Sequence, residues 1–289
     1  MSEEKARPAI ILAAFGSSEP EALAAVFNVE KIVRERFPAA EVAVAFTSAV
    51  IRKIWRKRGF DANFRAAWPD LPAWLYDVVS PLTAAALAAE DGPRPIYMQS
   101  LHINNGEEFA DLAAAAARLS EIDYVRPRKS PFKNLRLGLS AFGRGRPAEL
   151  AAAAAALAPL AREAEGRAAA LVLMGHGAIA VSNQVYVDFE ATLRAVYGRP
   201  VYIGLAEGEP GFETLLARLK SDGPARVFLA PLMLVAGDHA RNDMAGPAAD
   251  SWVNRLKAAG LSVETRLAGL GSLDSWAELY VERLRAIYA

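Results

Sequence analysis

The 289-residue chain contains no cysteine. Disulfide bonds, zinc fingers with cysteine ligands and cysteine-bound iron–sulfur clusters are therefore excluded. Any metal site must use histidine, carboxylate or backbone oxygen ligands. Histidine is also scarce, because the chain has only three. Each histidine is therefore considered as a candidate site residue.

The chain also lacks an excess of charge of either sign, since 33 lysines and arginines balance 33 aspartates and glutamates. This balance gives no electrostatic reason to expect nucleic acid or an anionic membrane as a partner. No uncharged apolar run is long enough to span a bilayer. The opening MSEEKARPAIILAAF lacks the pattern of a signal peptide. We therefore expect a cytoplasmic location.

Several common catalytic motifs are missing as well. The sequence has no GxSxG elbow, no GxxxxGK[ST] phosphate loop, no HExxH pair and no GxGxxG after a strand. These absences argue against serine hydrolases, P-loop enzymes, ordinary zinc proteases and dinucleotide-binding enzymes.

Short apolar runs alternate with amphipathic helical patterns along the chain. Between residues 19 and 37, apolar side chains recur every three or four residues, which predicts one helix with an apolar face. Strands that alternate with helices favour parallel sheets covered on both faces. The predicted strands are 9–15, 42–46, 95–101, 136–139, 169–174, 201–205, 226–232 and 262–266.

The chain repeats part of its own pattern. The segment 97-YMQSLHINNGEEF-109 matches 228-FLAPLMLVAGDHA-240, and 9-AIILAAFGSS-18 matches 170-ALVLMGHGAI-179. Two similar supersecondary units packed around a cleft explain such a repeat. We predict an α/β fold of two similar three-layer α/β/α halves with mainly parallel sheets. The N-terminal half is predicted at residues 1–140, the C-terminal half at 141–289, and the active-site cleft between them.

Each histidine follows a predicted strand. His102 follows strand 95–101, His176 stands between two glycines, and His239 follows strand 226–232. Ligands of open α/β sheets bind beyond the carboxyl ends of the strands. Glu207 ends another predicted strand, so His176, Glu207 and His239 offer two imidazoles and one carboxylate for a divalent metal. The alternative for each residue is a structural role in its loop.

Four motifs resemble those of a known family. PLMLVAGDHARNDMAG, LMGHGA, VYIGLAEGEP and the strand that leads into LHINNGEE are similar to the anaerobic cobalt chelatases, the sirohydrochlorin cobaltochelatases of the CbiK type. AIILAAFGSS is similar to the first strand of that family. The resemblance implies the chelatase fold, shared with class II ferrochelatases. It also implies insertion of Co²⁺ into sirohydrochlorin during anaerobic cobalamin biosynthesis.

The resemblance further implies roles for individual residues. The two metal-site histidines of the family fall on His176 and His239, and its carboxylate falls on Glu207 or, as an alternative, on Glu108. His176 is expected to bind the metal and to accept a proton, with Glu108 and His102 as further catalytic residues. The predicted substrate-binding residues lie in the strand-end loops and are Phe15, Gly16, Ser17, Gly177, Met233, Val235 and Ala236.

The expected partners follow from this resemblance. Co²⁺ is the metal substrate, with Fe²⁺ or Ni²⁺ as alternatives, and no organic cofactor is expected. The tetrapyrrole is sirohydrochlorin or a relative, and its carboxylates call for arginines, for which Arg52, Arg241 and the segment 126–129 are candidates. The family predicts a homo-oligomer. The alternative functions are a sirohydrochlorin ferrochelatase and a metal or tetrapyrrole carrier without turnover.

Overall fold

A computed structural model of the protein describes residues 7–90, 94–125, 132, 134–177 and 180–288. These residues form eight strands: β1 Ala9–Ala14, β2 Glu41–Phe46, β3 Ile96–Ser100, β4 Leu135–Gly138, β5 Ala170–Gly177, β6 Val201–Glu207, β7 Arg226–Leu232 and β8 Ser262–Thr265. Their α-helices are α1 Ala24–Arg36, α2 Ala49–Gly59, α3 Ala62–Ala67, α4 Pro81–Glu90, α5 Glu107–Val125, α6 Pro147–Ala156, α7 Ala158–Gly166, α8 Ala180–Tyr197, α9 Phe212–Asp222, α10 Trp252–Ala258 and α11 Asp274–Arg285.

The strands form two four-stranded sheets with the same topology. The order is β2-β1-β3-β4 in the first sheet and β6-β5-β7-β8 in the second, and every described pairing is parallel. Each strand of the first half therefore has a counterpart in the second, as the repeat in the sequence predicts. The predicted α/β fold with two mainly parallel sheets is confirmed, and the predicted strands all form, with ends that differ by at most three residues.

Buried side chains alternate between the two faces of each sheet because successive residues of a strand point in opposite directions. In β1, Ile10 and Leu12 belong to a large core cluster, whereas Ile11 belongs to a second cluster. In β5, Leu173 joins the same large cluster, whereas Met174 joins a third. One face of each sheet therefore contributes to a single continuous core, and the other face has a core of its own.

The last helix of the chain crosses back to the first half. Helix α11 packs against α1 and β3. The buried Tyr280 hydroxyl of α11 donates to the carbonyl of Leu101 at 2.9 Å. The division of the chain after residue 140 stays a prediction, and the contacts of α11 join the two predicted halves at the shared core.

Within the described part of the chain, none of the helices combines the length and the apolar character that a bilayer span requires.

Candidate active site

Three neighbouring strands of the second sheet deliver the three predicted metal ligands. Strand β5 lies between β6 and β7, so the carboxyl ends of these strands lie side by side. His176 stands at the end of β5, Glu207 ends β6, and His239 lies seven residues after β7. One ligand atom from each of these side chains lies within 4.8 Å of the other two. A single divalent ion can therefore contact all three.

Hydrogen bonds orient both histidine rings of this group. The Nδ1 atom of His176 lies 3.0 Å from the carbonyl oxygen of Gly177, and Nδ1 of His239 lies 2.5 Å from the Asp243 carboxylate. Both partners can only accept, so in the neutral rings each Nδ1 carries the hydrogen. The lone pair is then on Nε2, the nitrogen that is available to a metal. The two rings meet edge to face, with centroids 4.7 Å apart.

A short π-helical turn, Ala240–Met244, begins directly after His239. This turn brings Asp243 back to the His239 ring, and Asn242 donates to the Asp238 carboxylate at 2.7 Å. Single π-helical turns are frequent at functional sites. The polar residues around His239 in the sequence therefore include the residue, Asp243, that orients its imidazole.

Gly177 is confined by the strand beside it. It pairs with Glu207 in the sheet and has a φ of +88°, in the left-handed region that side chains avoid. A Cβ atom at this position would stand 1.8 Å from the carbonyl oxygen of Glu207. Both the positive φ and the lack of space for a side chain therefore require glycine at residue 177, which follows His176 and pairs with Glu207.

The first sheet contributes the other polar groups of the cleft. His102 follows β3 and is 8% exposed; its Nδ1 lies 2.9 Å from the Ser100 hydroxyl. Its Nε2 lies 3.5 Å from the Glu108 carboxylate, at the start of α5. Ser100, His102 and Glu108 therefore form a line that runs from the buried sheet to the cleft.

The surroundings shift the proton affinity of both titratable groups in this line. Burial lowers the pKa of His102 to about 4, so its imidazole is neutral at pH 7. Burial raises the pKa of Glu108, the charge of His176 opposes this shift, and Asp111 adds to it. Glu108 therefore accepts a proton more readily than an ordinary glutamate, which suits a base that works near neutral pH.

One cleft of about 470 Å³ is lined by His102, Glu108, His176, Glu207 and His239. It is also lined by six of the seven predicted substrate-binding residues, namely Phe15, Gly16, Ser17, Gly177, Met233 and Val235. Ala236 differs, because it is 3% exposed and packs in the core cluster around Val172 and Met174. Burial alternates along 233–236, so Met233 and Val235 are half-exposed while Ala236 faces inward.

The arginines proposed for substrate carboxylates have different surroundings. Arg241 lies 3.3 Å from the Glu21 carboxylate, an ion pair that joins the two halves beside the cleft. Arg52 donates to the backbone carbonyls of Phe46 and Thr47, and burial, helped by the charge of Arg56, lowers its pKa. The third candidate, the segment 126–129, lies outside the described residues.

Tyr186 and Asn104 are among the cleft residues that the sequence did not identify as site residues. Tyr186 of α8 lines the cleft although it is 4% exposed, and Asn104 lies beside it. Burial raises the pKa of Tyr186 to about 12, so its hydroxyl remains protonated. A tyrosine on the apolar face of a helix has the sequence signature of an ordinary core residue. The sequence therefore carried no signal for it.

The comparisons with known proteins agree on one family. A model of the cobalt chelatase (CbiK) family matches residues 8–289 of the chain. The sirohydrochlorin cobaltochelatase of Salmonella typhimurium is 30% identical over 281 residues, which cover 96% of this chain and 95% of that protein. The sirohydrochlorin cobaltochelatase CbiKC of Nitratidesulfovibrio vulgaris is 31% identical over 278 residues, which cover 96% of this chain and 89% of that protein.

Solved structures support the fold. The sirohydrochlorin chelatase SirB from Bacillus subtilis subspecies spizizenii, in complex with cobalt, superposes with a TM-score of 0.57 at 14% identity, covering 97% of this chain and 95% of SirB. A multi-domain Deinococcus radiodurans protein with structural similarity to chelatases gives a TM-score of 0.51 at 14% identity, covering 96% of this chain and 55% of that protein. Similarity at this level of identity concerns the fold alone.

Replacing Gly177 by alanine tests the confinement of the strand ends. We expect Gly177→Ala to lower the free energy of unfolding by about 3 kcal/mol or more, because the new methyl group both strains φ and overlaps the backbone of Glu207. Gly198→Ala is the matched control, since Gly198 has a φ of +60° but open space around it. It should cost about 1 kcal/mol. Equal losses in urea denaturation would contradict the steric argument.

The buried His102 predicts a pH dependence of stability. Its folded pKa of about 4 lies below the ordinary value of about 6.5, so between these values the unfolded chain binds a proton that the folded chain does not. The free energy of unfolding should therefore fall by about 2 kcal/mol from this residue as the pH decreases from 6.5 to 4.5. In urea denaturation, His102→Asn should show a shallower fall than the wild type. Parallel pH dependences would show that His102 is not the cause.

Proposed function

Because the chain belongs to the cobalt chelatase (CbiK) family, we propose that it inserts Co²⁺ into sirohydrochlorin. The two relatives described above are both named sirohydrochlorin cobaltochelatase. The observation that supports this proposal most directly is the grouping of His176, Glu207 and His239 in a cleft that the family match includes. Their ligand atoms are close enough for one ion, and the cleft beside them is lined by apolar as well as polar side chains.

In this proposal the second half of the chain holds the metal substrate. Two imidazoles and one carboxylate suit Co²⁺ and leave its other coordination positions open to the pyrrole nitrogens. The Nε2 atoms of His176 and His239 bind the ion, because the Nδ1 atoms are engaged with Gly177 and Asp243. A site with few, mixed ligands can release its ion to the macrocycle, whereas a closed cage would retain it.

The first half of the chain supplies the base. Insertion of Co²⁺ replaces two pyrrole N–H protons, so two protons must leave the macrocycle. Glu108 accepts the first, because its carboxylate lies in the cleft and burial has raised its pKa. His102 remains neutral, and its Nε2 lies 3.5 Å from the Glu108 carboxylate. His176 is the second acceptor, once the ion has moved from its imidazole to the macrocycle.

Apolar side chains in the cleft suit the macrocycle itself. Phe15 lines the cleft and is 44% exposed, so its ring is accessible from the cleft. Its ring supports the flat tetrapyrrole, with Met233 and Val235 on the C-terminal side of the cleft. Arg241 binds a substrate carboxylate at the rim in exchange for Glu21. The expected homo-oligomer and the cytoplasmic location stay predictions.

Removing single ligands tests the metal site. We expect His239→Ala and Glu207→Gln each to reduce the rate of cobalt insertion at least 100-fold, because each removes one of three metal ligands. The measurement is the absorbance change of sirohydrochlorin with Co²⁺ over time, against a sample without enzyme. Glu209→Gln is the control, since Glu209 lies in the same loop but binds Gly211 and Thr214. It should keep most of the wild-type rate.

The outcomes of that assay separate the alternatives. Insertion by wild type that His239→Ala retains would contradict the metal site. A shifted tetrapyrrole spectrum without metal insertion would indicate a carrier. Faster insertion of Fe²⁺ than of Co²⁺ would indicate a ferrochelatase.

Replacing Glu108 tests the assignment of the base. Glu108→Gln should lower kcat about 100-fold or more and leave Co²⁺ affinity close to wild type, because the amide cannot accept the pyrrole proton. The wild-type kcat should rise with pH as the Glu108 carboxyl deprotonates, at a pH above the usual glutamate range, and the variant should lose this limb. Glu107→Gln alters the adjacent carboxylate and should keep both kcat and the limb. An unchanged pH profile in Glu108→Gln would contradict the role.

A further inference from the structure

The loop 15–18 follows directly after β1 and forms part of the cleft wall. All four of its residues line the cleft, namely Phe15, Gly16, Ser17 and Ser18. Gly16 has a φ of +94°, and an added Cβ would stand 2.6 Å from the Phe46 ring. The loop is therefore confined on the side where β2 ends.

Helix α2 runs beside this loop and donates hydrogen bonds to it. The indole N–H of the buried Trp55 donates to the carbonyl of Ser17 at 2.7 Å. The guanidinium of Arg58 donates to the carbonyl of Ser18. A buried carbonyl needs such a partner, because it has lost its bonds to water. Two successive carbonyls of the loop are thus held by side chains that are one turn apart on α2.

Aromatic rings fix both of these donors. The Cζ atom of Arg58 lies 4.8 Å from the ring centroid of Trp55 and 4.8 Å from that of Phe64 in α3. The Trp55 ring meets Phe64 and Tyr76 edge to face, with centroids 6.0 and 6.1 Å apart. A planar guanidinium that stacks on rings loses less freedom when it donates a hydrogen bond. Packing therefore orders both donors.

Helix α2 belongs to a part of the fold that differs between the two halves. Residues 47–95 lie between β2 and β3 and include α2, α3 and α4. The corresponding strands of the second half, β6 and β7, are separated by residues 208–225, a fully described segment whose one helix is α9. Two helices of the first half are therefore additional to the shared topology, and α2 contacts the cleft loop.

We infer that Trp55 and Arg58 are positioning residues, which hold the loop 15–18 so that Phe15 presents its ring to the tetrapyrrole. Neither side chain lines the cleft itself, so each acts through the loop. The candidate metal ligands belong to the second half, so the effect should be on binding of the macrocycle and not of Co²⁺. This inference rests on the proposed function for the identity of the macrocycle, but binding of metal-free sirohydrochlorin can be measured without insertion.

The first test is Trp55→Phe, which keeps an aromatic ring and removes the indole N–H. The protein is titrated with metal-free sirohydrochlorin, following the visible absorption of the tetrapyrrole, then with Co²⁺ alone, and is then assayed for insertion. Sirohydrochlorin should bind about 10-fold more weakly, with a similar rise in KM, because a loop that is not preorganised must be ordered on binding. Co²⁺ affinity and kcat should change by less than about 3-fold.

Trp252→Phe is the matched control for the loss of indole volume. Trp252 is also buried, at 5% exposed, but it packs on Phe212 in the second half. This variant should stay within about 2-fold of the wild type in every binding measurement. Wild-type sirohydrochlorin affinity in folded Trp55→Phe would overturn the inference, and so would an equal loss of affinity in Trp252→Phe.

Arg58→Met tests the second donor and decides the inference if Trp55→Phe fails to fold. It keeps an unbranched stem and removes the guanidinium, so sirohydrochlorin should bind about 5-fold more weakly while Co²⁺ affinity is retained. Arg65→Met is the control for the loss of one positive charge, since Arg65 lies nearby in α3 with its Cζ 5.3 Å from the Tyr76 ring centroid. Equal losses in the two variants would indicate a general charge effect and overturn the inference.

A double-mutant cycle with Phe15→Ala separates positioning of the ring from a general structural effect. In the Phe15→Ala background, Arg58→Met should change the affinity for sirohydrochlorin by less than about 2-fold, because the ring that the loop presents is already gone. Additive losses would overturn the inference. A wild type that binds sirohydrochlorin but inserts no Co²⁺ would contradict the proposed activity, and the binding titrations would still decide the role of Trp55 and Arg58. A wild type that does not bind sirohydrochlorin would overturn both.

Discussion

The site depends on the close approach of two strand ends, at Gly177 and Glu207. No side chain fits at residue 177, because its Cβ would overlap the carbonyl of Glu207. This contact brings the ends of β5 and β6 together and places His176 beside Glu207. His239 then approaches from β7, the other neighbour of β5. Parallel pairing is what makes this possible, since all three strands end at the same edge of the sheet.

The two halves share a topology and differ in chemistry. Gly16 lies two residues after β1 and Gly177 is the last residue of β5, and their φ values are similar, at +94° and +88°. The residue before each glycine differs, with Phe15 in the first half and His176 in the second. The same backbone thus presents an apolar ring on one side of the cleft and an imidazole on the other. That difference suits the proposed substrates, a flat macrocycle and a metal ion.

Because the proposed metal ligands belong to the second half and the proposed base to the first, the relative position of the two halves is important. The shared core cluster and the return of α11 to the first half provide most of this rigidity, because they bury large apolar surfaces across both units. Within the cleft, the smaller polar contacts set the final distances. A displacement of about 1 Å is enough to reduce catalysis by two orders of magnitude, so these polar contacts have effects beyond their contribution to stability.

The sequence alone determined the strands, the repeat and the strand-end positions of the three histidines. Buried parallel strands require apolar runs and their turns require glycine, so these features can be recognised from short segments of the sequence. The orientation of Ala236, the place of Tyr186 and the crossing of α11 were decided by the tertiary structure. Each depends on which face of an element meets a partner far away in the chain. An alanine in an extended loop or a tyrosine in an amphipathic helix looks the same in either environment, because burial and hydrogen bonding are defined only once distant segments have packed together.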